Sequence, residues 1–383
     1  MTASSCRECG GTLRVAADRR LEGPWGGRGV WRFAAALTAV AESSRVSLDE
    51  GGTPLLPAAQ LSAELGVTLL LKDETRNPTG TFKDRCLAVA ASIAVESGAP
   101  GLVCASTGNA GASTAAYAAA AGLPSVILVP AGAPSGKLDQ AIAYGAQLIE
   151  VRGNYSDCYA LARAAADRLG YVNATTTFVS PYSVEGSRTV AHELTEQCTP
   201  LPEWVVVPIG AGPLLVGIQQ AFHDLGGHQA KLLAVQPDGC APIVQAWAEG
   251  ADRVTEWGEP ETLVGSLADP LTGYAHEGDL TLEAIRASDG AAVAVPDQQT
   301  LAAVRDLAAG AGVFAEPGGA IGLAGVRSAL QNGIICAGET VVCCVTGTGL
   351  KDPRIALAEP DPTVVSTDPS ELLALLEVTH AAR

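Results

Sequence analysis

The stretch Lys72-Asp-Glu-Thr-Arg-Asn-Pro-Thr-Gly-Thr-Phe-Lys83-Asp-Arg85 decides how the rest of the chain is read. It runs from the end of an apolar segment, VTLLL at Val67 to Leu71, through a Pro-Thr-Gly turn into an Ala-rich run of helical character. Lys83 falls near the start of that helix. A lysine at the positive end of a helix dipole has a lowered pKa, which favours the neutral amine that imine chemistry needs. The same residue type at a helix start is, taken alone, an ordinary solvated group. Its neighbours along the chain decide between the two.

Outward from this stretch, short β-branched runs recur: GLVCAS ending at Ser106, SVILVP at Ser125 to Pro130, QLIEV at Gln147 to Val151, WVVVPI at Trp204 to Ile209, KLLAVQ at Lys231 to Gln236 and VVCCV at Val341 to Val345. Between them lie helical stretches such as AGASTAAYAAAAGL and LAAVRDLAAGAG. This alternation predicts an α/β protein with two parallel-rich open sheets covered by helices. The expected organisation is an N-terminal strap over 1–50, a discontinuous large domain over 51–85 and 190–360, a small substrate-side domain over 86–189, and a tail over 361–383 that forms a short helix with a Leu face. Residues Glu249 to Ala287, acidic and less periodic, read as a surface excursion.

Composition narrows the function. Of 383 residues, 48% are hydrophobic and only 4% aromatic, so the core rests on Ala, Val, Leu and Ile. The formal charge is 24 − 41 = −17, which argues against a nucleic-acid or anionic-membrane partner. Ten cysteines in a long chain with no export-type leader point to reduced thiols and a cytoplasmic location. Cys343 and Cys344 read as packing residues within a strand.

Three further motifs follow strands. Ser106-Thr107-Gly-Asn109-Ala110-Gly111 opens a helix, where small hydroxyls and bare amides suit an anion the size of a carboxylate, or simply make a tight turn. Gly210-Ala211-Gly212-Pro213-Leu214 offers a second cradle, suited to a phosphate but short of a nucleotide-binding fingerprint. Thr346-Gly-Thr-Gly-Leu-Lys-Asp-Pro353 ends the VVCCV strand.

In their order, EGGTPLL, KxExxNPTGTFKDR, STGNAG, the Gly-rich loop and TGxGLKDP resemble the threonine synthases of the fold type II pyridoxal phosphate (PLP) enzymes, the tryptophan synthase β superfamily. The resemblance spans about Ser47 to Pro353. It implies PLP as cofactor, Lys83 as the Schiff-base lysine and catalytic base, and Phe82 beside the ring. It further implies Asn109 at the ring hydroxyl, Gly210 to Leu214 around the cofactor phosphate, and Thr346 at the ring nitrogen. Ser106, Thr107, Asn109 and Ala110 would receive the carboxylate of an amino-acid substrate. The implied enzyme is a lyase of amino-acid biosynthesis and a homodimer, typically turning O-phosphohomoserine and water into threonine and phosphate.

This sequence also departs from the family pattern. The family's NPYRxEGxKT segment, which helps hold the substrate phosphate, reads Ser180-Pro-Tyr-Ser183-Val-Glu-Gly-Ser-Arg188-Thr189, with Ser183 in place of arginine. Ser183 and Arg188 therefore stand as the substrate-contact candidates here. The cofactor loop lacks an asparagine common in the family, and Thr348 replaces a common histidine. A hydroxyl does not substitute for a bidentate guanidinium contact to phosphate. Elimination or replacement at Cβ of serine, threonine or O-phosphoserine, as in dehydratases or cysteate synthase, is thus an alternative, and a non-catalytic regulator that kept the pocket is another. Cys6 and Cys9 resemble one knuckle of a zinc ribbon, but no second pair completes four ligands, so no metal is expected.

Overall fold

The computed structural model describes residues 6, 8, 11–15, 25–132, 138–226, 230–351, 364–367 and 369–373. One sheet starts with β1 (Leu55–Pro57) and β2 (Thr68–Asp73), joined by α1 (Ala59–Leu65). The chain then leaves it through α2 (Lys83–Glu96) for a second sheet of β3 (Leu102–Ala105), β4 (Ser125–Pro130), β5 (Gln147–Val151) and β6 (Val172–Asn173). Helices α3 (Asn109–Ala120), α4 (Asp139–Ala143) and α5 (Tyr155–Leu169) join those strands, and α6 (Tyr182–Gln197) leads back. The first sheet resumes with β7 (Trp204–Pro208), β8 (Lys231–Pro237), β9 (Ala291–Val295) and β10 (Thr340–Val345). Between them run α7 (Pro213–Leu225), α8 (Pro242–Ala248), α9 (His276–Ala287), α10 (Asp297–Ala311) and α11 (Pro317–Gln331).

The sheet orders are β1-β2-β10-β7-β8-β9 and β5-β4-β3-β6. Only the β1–β2 pair is antiparallel. The parallel, α/β expectation therefore holds, and each β-branched run quoted above is a strand. Because both faces of a parallel sheet are covered, its central strands β7 and β10 carry apolar side chains on both faces. On β7, Val205 and Val207 enter one hydrophobic layer and Trp204 and Val206 the other. On β10 the same alternation sends Val342 and Cys344 one way and Val341, Cys343 and Val345 the other. Burial pushes the Cys343 thiol up to about 12 and Cys344 up as well, so both are inert packing groups.

Alanine-rich faces let the helices approach closely. A Cβ on Gly186 of α6 would lie 2.3 Å from the Arg85 carbonyl oxygen of α2, so only glycine permits this crossing. Residues 25–50 lie along the same pair of helices: Thr38 N donates to Glu185 Oε2 of α6 and Val46 N to Ser92 Oγ of α2. The described part of the tail is helical over 369–373, with Leu372 and Leu373 exposed.

One expectation is overturned. Residues 249–287 are not a surface excursion: Leu271, Tyr274 and Glu277 are buried, α9 packs on α7, and Gly265 to Asp269 wall the main cavity. The acidic composition misleads because Glu277 and Asp269 are among the inward-facing acids.

Candidate active site

A cavity of about 710 Å³ opens where β3, β7 and β10 end and where α2, α3 and α7 begin. This is the carboxyl-end crevice in which open α/β sheets place their ligands. Phe82, Lys83, Ser106 to Ala110, Gly210 to Leu214 and Thr346 all line it. The sequence-predicted cofactor residues, separated by up to some 260 positions, are thus brought to one place.

Lys83 is the first residue of α2. The preceding turn is stitched to the turn after β10: Phe82 N and Thr81 Oγ1 both donate to the Thr346 carbonyl at 3.1 Å, and Thr348 N donates to the Gly80 carbonyl at 2.9 Å. The Lys83 amine lies 4.5 Å from the Phe82 ring centroid, and among the described residues it makes no hydrogen bond or ion pair. Burial lowers its pKa, against a weaker opposing pull from Asp269 and Glu316 among others. The amine is therefore biased toward the neutral, nucleophilic form.

Two polar clusters fix the first turn of α2. Asp84 accepts from Thr79 N at 2.7 Å, from Thr79 Oγ1 at 2.6 Å and from Ser113 Oγ of α3. Arg85, fully buried, donates to Glu74 at 2.7 and 2.8 Å, to Glu193 at 2.7 and 2.8 Å, and to Thr189 and Thr53. Lys72 Nζ joins the cluster at 2.6 Å from Glu193 Oε2, 2.8 Å from the Thr53 carbonyl and 2.9 Å from Gln197 Oε1. Burial pushes Glu193 and Glu74 up, but the Arg85 guanidinium and the Lys72 ammonium outweigh it and hold both below the usual carboxylate range. Two cations and two carboxylates thus neutralise one another across β2, α2 and α6.

The start of α7 is a built anion cradle. Gln236 Nε2 donates to the Gly210 carbonyl at 3.1 Å and Thr281 Oγ1 to the Ala211 carbonyl at 2.6 Å. In a trans peptide the N–H points opposite to the carbonyl, so tying these oxygens back turns the Ala211 and Gly212 N–H groups the other way. Among the described residues neither N–H, nor that of Leu214, donates to a protein acceptor. Gly212 has φ +101°, and a Cβ there would lie 2.3 Å from Thr281 Oγ1, so the turn demands glycine. Undonated N–H groups at a helix N-terminus are the donor set a phosphate requires. The residues therefore fit PLP: a phosphate cradle, an amine with no hydrogen-bond partner among the described residues, and a cavity that holds both.

At the start of α3, Asn109 is clamped between two groups from elsewhere in the chain. Its Nδ2 donates to Glu316 Oε1 at 2.5 Å and its Oδ1 accepts from Lys351 Nζ at 2.8 Å. Thr346 Oγ1 donates to the Gly318 carbonyl at 3.1 Å.

The two remaining substrate candidates are not brought to the cavity. Ser183 is buried in α6, where its carbonyl accepts from Cys86 Sγ and Ser187 Oγ. Arg188, one turn on, is buried facing α7, paired with Asp224 and Gln220. Their placement follows from the helix: α6 packs this face against α2 and α7, away from the opening. Conversely, Asp269, Glu316, Lys351 and Tyr155 line the cavity and were missed as site residues. Only Lys351 had a signal, lying inside the TGxGLKDP motif. Of the zinc candidates, Cys6 is described and Cys9 lies outside the described residues. Among the described residues no group of three or more His, Cys, Asp or Glu is placed to hold a metal, and no helix is long and apolar enough to cross a membrane.

Comparison with known proteins agrees with this geometry. The profile of the family described as pyridoxal-phosphate dependent enzyme matches residues 46–347. The threonine synthase of Methanocaldococcus jannaschii is 36% identical over 393 aligned positions, covering 97% of this chain and 94% of its own. That of Bacillus sp. strain ULM1 is 38% identical over 334, covering 85% and 91%. Among solved structures, maize serine racemase superposes with a TM-score of 0.69 at 24% identity, covering 86% of this chain and 94% of its own.

Proposed function

The chain belongs to the pyridoxal-phosphate dependent enzymes, as a lyase of the threonine synthase type, and from that premise we propose that it uses Lys83 to convert O-phosphohomoserine and water into threonine and phosphate. The observation that carries the residue assignment is the Lys83 amine, without a hydrogen-bond partner among the described residues, in a cavity shared with the N–H cradle of Gly210 to Leu214. PLP, when bound, supplies the electron sink that stabilises negative charge at substrate Cα.

The chain's own residues supply the rest. Gly210, Ala211, Gly212, Pro213 and Leu214 enclose the cofactor phosphate, with Asn109 and Thr346 as its ring contacts and Phe82 beside it. Ser106, Thr107, Asn109 and Ala110, at the positive end of α3, receive the substrate carboxylate. Lys83 holds the cofactor, is released when substrate binds, and as a neutral amine takes the Cα proton. Pro130, Leu263 and Leu267 supply an apolar part of the cavity lining.

A second reading is elimination or replacement at Cβ of serine, threonine or O-phosphoserine. It is favoured by the cavity lining itself, whose basic side chains among the described residues are Lys83 and Lys351, with no arginine among them. Purified protein incubated with O-phosphohomoserine distinguishes the two: release of phosphate with matching threonine supports the first, and turnover of a Cβ-substituted amino acid alone replaces it. Lys83→Ala protein that still turns over would sink both. The regulator reading is set aside, since the chain aligns with threonine synthases over nearly its whole length.

The reading extends to a cytoplasmic homodimer, supported by the free cysteines and by family likeness. It also takes residues 51–85 and 190–360 as one domain and 86–189 as the other. Sedimentation of the purified protein tests the dimer.

A further inference from the structure

The segment before α9 brings an acid against the phosphate cradle. A Cβ built on Gly210 would lie 3.4 Å from Cβ of Asp269 and 3.9 Å from its Oδ2. Asp269 Oδ1 is engaged, accepting from Tyr274 Oη at 2.6 Å and from Leu271 N at 3.2 Å. Among the described residues Oδ2 accepts no hydrogen bond, and Asp269 lines the same cavity as Ala211, Gly212 and Leu214.

An ionised carboxylate at that place repels a phosphate and competes with it for the N–H groups. A carboxylic acid there is instead a donor. The groups facing Asp269 favour the acid. Tyr274 and, from α5, Tyr155 carry hydroxyls whose pKa values burial pushes up. Cys240, after β8, is pushed up to about 12, and Glu277 of α9 up to about 7, both chiefly by burial. Among the described residues Lys83 is the basic group that acts on Asp269, and it favours the carboxylate. Held as the neutral amine that burial favours, Lys83 exerts no such pull.

We propose that Asp269 is a cofactor-binding residue that works protonated, its Oδ2–H donating to a phosphate oxygen held in the Gly210–Leu214 cradle. The proton stays on Asp269, so the contact is lost when the side chain ionises. This rests on the assignment of that cradle to the cofactor phosphate. Burial pushes the Asp269 carboxyl above its ordinary value, consistent with a proton held there.

The test is fluorescence titration of PLP-free full-length protein with PLP and, separately, with pyridoxal, which lacks the phosphate, from about pH 6 to 9. Wild type, Asp269→Asn and Asp269→Ala are compared. The amide of Asp269→Asn still donates but does not ionise. Above the Asp269 midpoint, wild-type affinity for PLP relative to Asp269→Asn should fall about tenfold per pH unit until the contact is lost. The same ratio measured with pyridoxal should stay flat, which removes any effect through Lys83. Asp269→Ala should bind PLP more weakly than wild type at the acid end. A flat PLP ratio together with Asp269→Ala binding PLP as tightly as wild type, or an equal slope with pyridoxal, overturns the role of Asp269 while leaving the cradle assignment standing. If wild-type protein binds PLP no better than pyridoxal at any pH, the cradle assignment falls and the proposal with it.

Discussion

Replacing Glu193 by Gln tests whether the buried cluster behind Lys83 acts as an electrostatic unit. The carboxylate accepts from Lys72 Nζ at 2.6 Å, from Arg85 at 2.7 and 2.8 Å and from Gly52 N at 2.7 Å. Before the change two cations face two carboxylates; afterwards Lys72 and Arg85 share Glu74 alone. Arg85 keeps both Glu74 oxygens, while Lys72 is left with the neutral Thr53 and Gln197 oxygens. Removing one partner of a buried ion pair costs about 3–5 kcal/mol. The retained amide oxygen puts Glu193→Gln near the lower end, about 3 kcal/mol. Lys72→Met alone should cost about 2 kcal/mol, since Glu193 keeps Arg85. The double variant restores charge balance, so its loss should fall short of the sum by at least about 1 kcal/mol. Denaturant unfolding at neutral pH, followed by two probes to check cooperativity, supplies the cycle. Because Glu193 and Glu74 have depressed folded pKa values, their contribution is complete above the unfolded value of about 4.3 and fades as pH falls through the folded values. The Glu193→Gln variant should therefore lose less on acidification than wild type. Additive losses, or a Glu193→Gln loss under about 1 kcal/mol, would refute the account, because water would then be screening the cluster.

Gly212→Ala should weaken PLP binding and lower stability by about 1–3 kcal/mol from backbone strain alone, with the Thr281 clash added; equilibrium unfolding and cofactor titration check both. Thr281→Val strands the Ala211 carbonyl and should cost about 1–3 kcal/mol, read as a drop in PLP affinity, in Tm, or in both. Glu277, held at about 7 by burial, binds its proton more tightly folded than unfolded, so wild-type stability should fall as pH rises from about 4.3 to 7. Glu277→Gln should remove that fall, worth up to roughly 3–4 kcal/mol, and thermal melts at pH values on either side compare the two.

Much of this was legible in the chain. Strands announced themselves because parallel strands covered on both faces are unbroken apolar runs, and WVVVP and SVILVP have no competing reading. The strand-end motifs that meet at the cavity were legible as glycines and small hydroxyls after strands, while the cofactor roles proposed for them came from the family resemblance. Residues 249–287 were misread because composition reports charge but not direction: Glu277 and Asp269 point inward, held by tyrosine hydroxyls no pattern could foretell. Ser183 and Arg188 were misplaced because a motif gives order along the chain, whereas the direction each side of α6 faces is set by its packing on α7 and on α2, closest at Gly186. Asp269, Glu316 and Tyr155 were missed because each stands outside any motif, and the groups they meet across the cavity, such as Gly210 for Asp269 and Asn109 for Glu316, are far away in the chain.

The position of β10 shapes how this molecule is made. Its pairing residues, Thr340 to Val345, lie between β2 and β7 in the middle of the first sheet, yet they come last of its strands. During synthesis, β1 and β2 on one side and β7, β8 and β9 on the other emerge with open apolar edges and no neighbour to join them. Those edges are templates for strands of other chains until the last strand is inserted. The same insertion brings Thr346 to the turn before Lys83. A nascent chain is therefore at its most vulnerable to aggregation just before it first has a complete cofactor pocket, and supply of cofactor cannot rescue it any earlier.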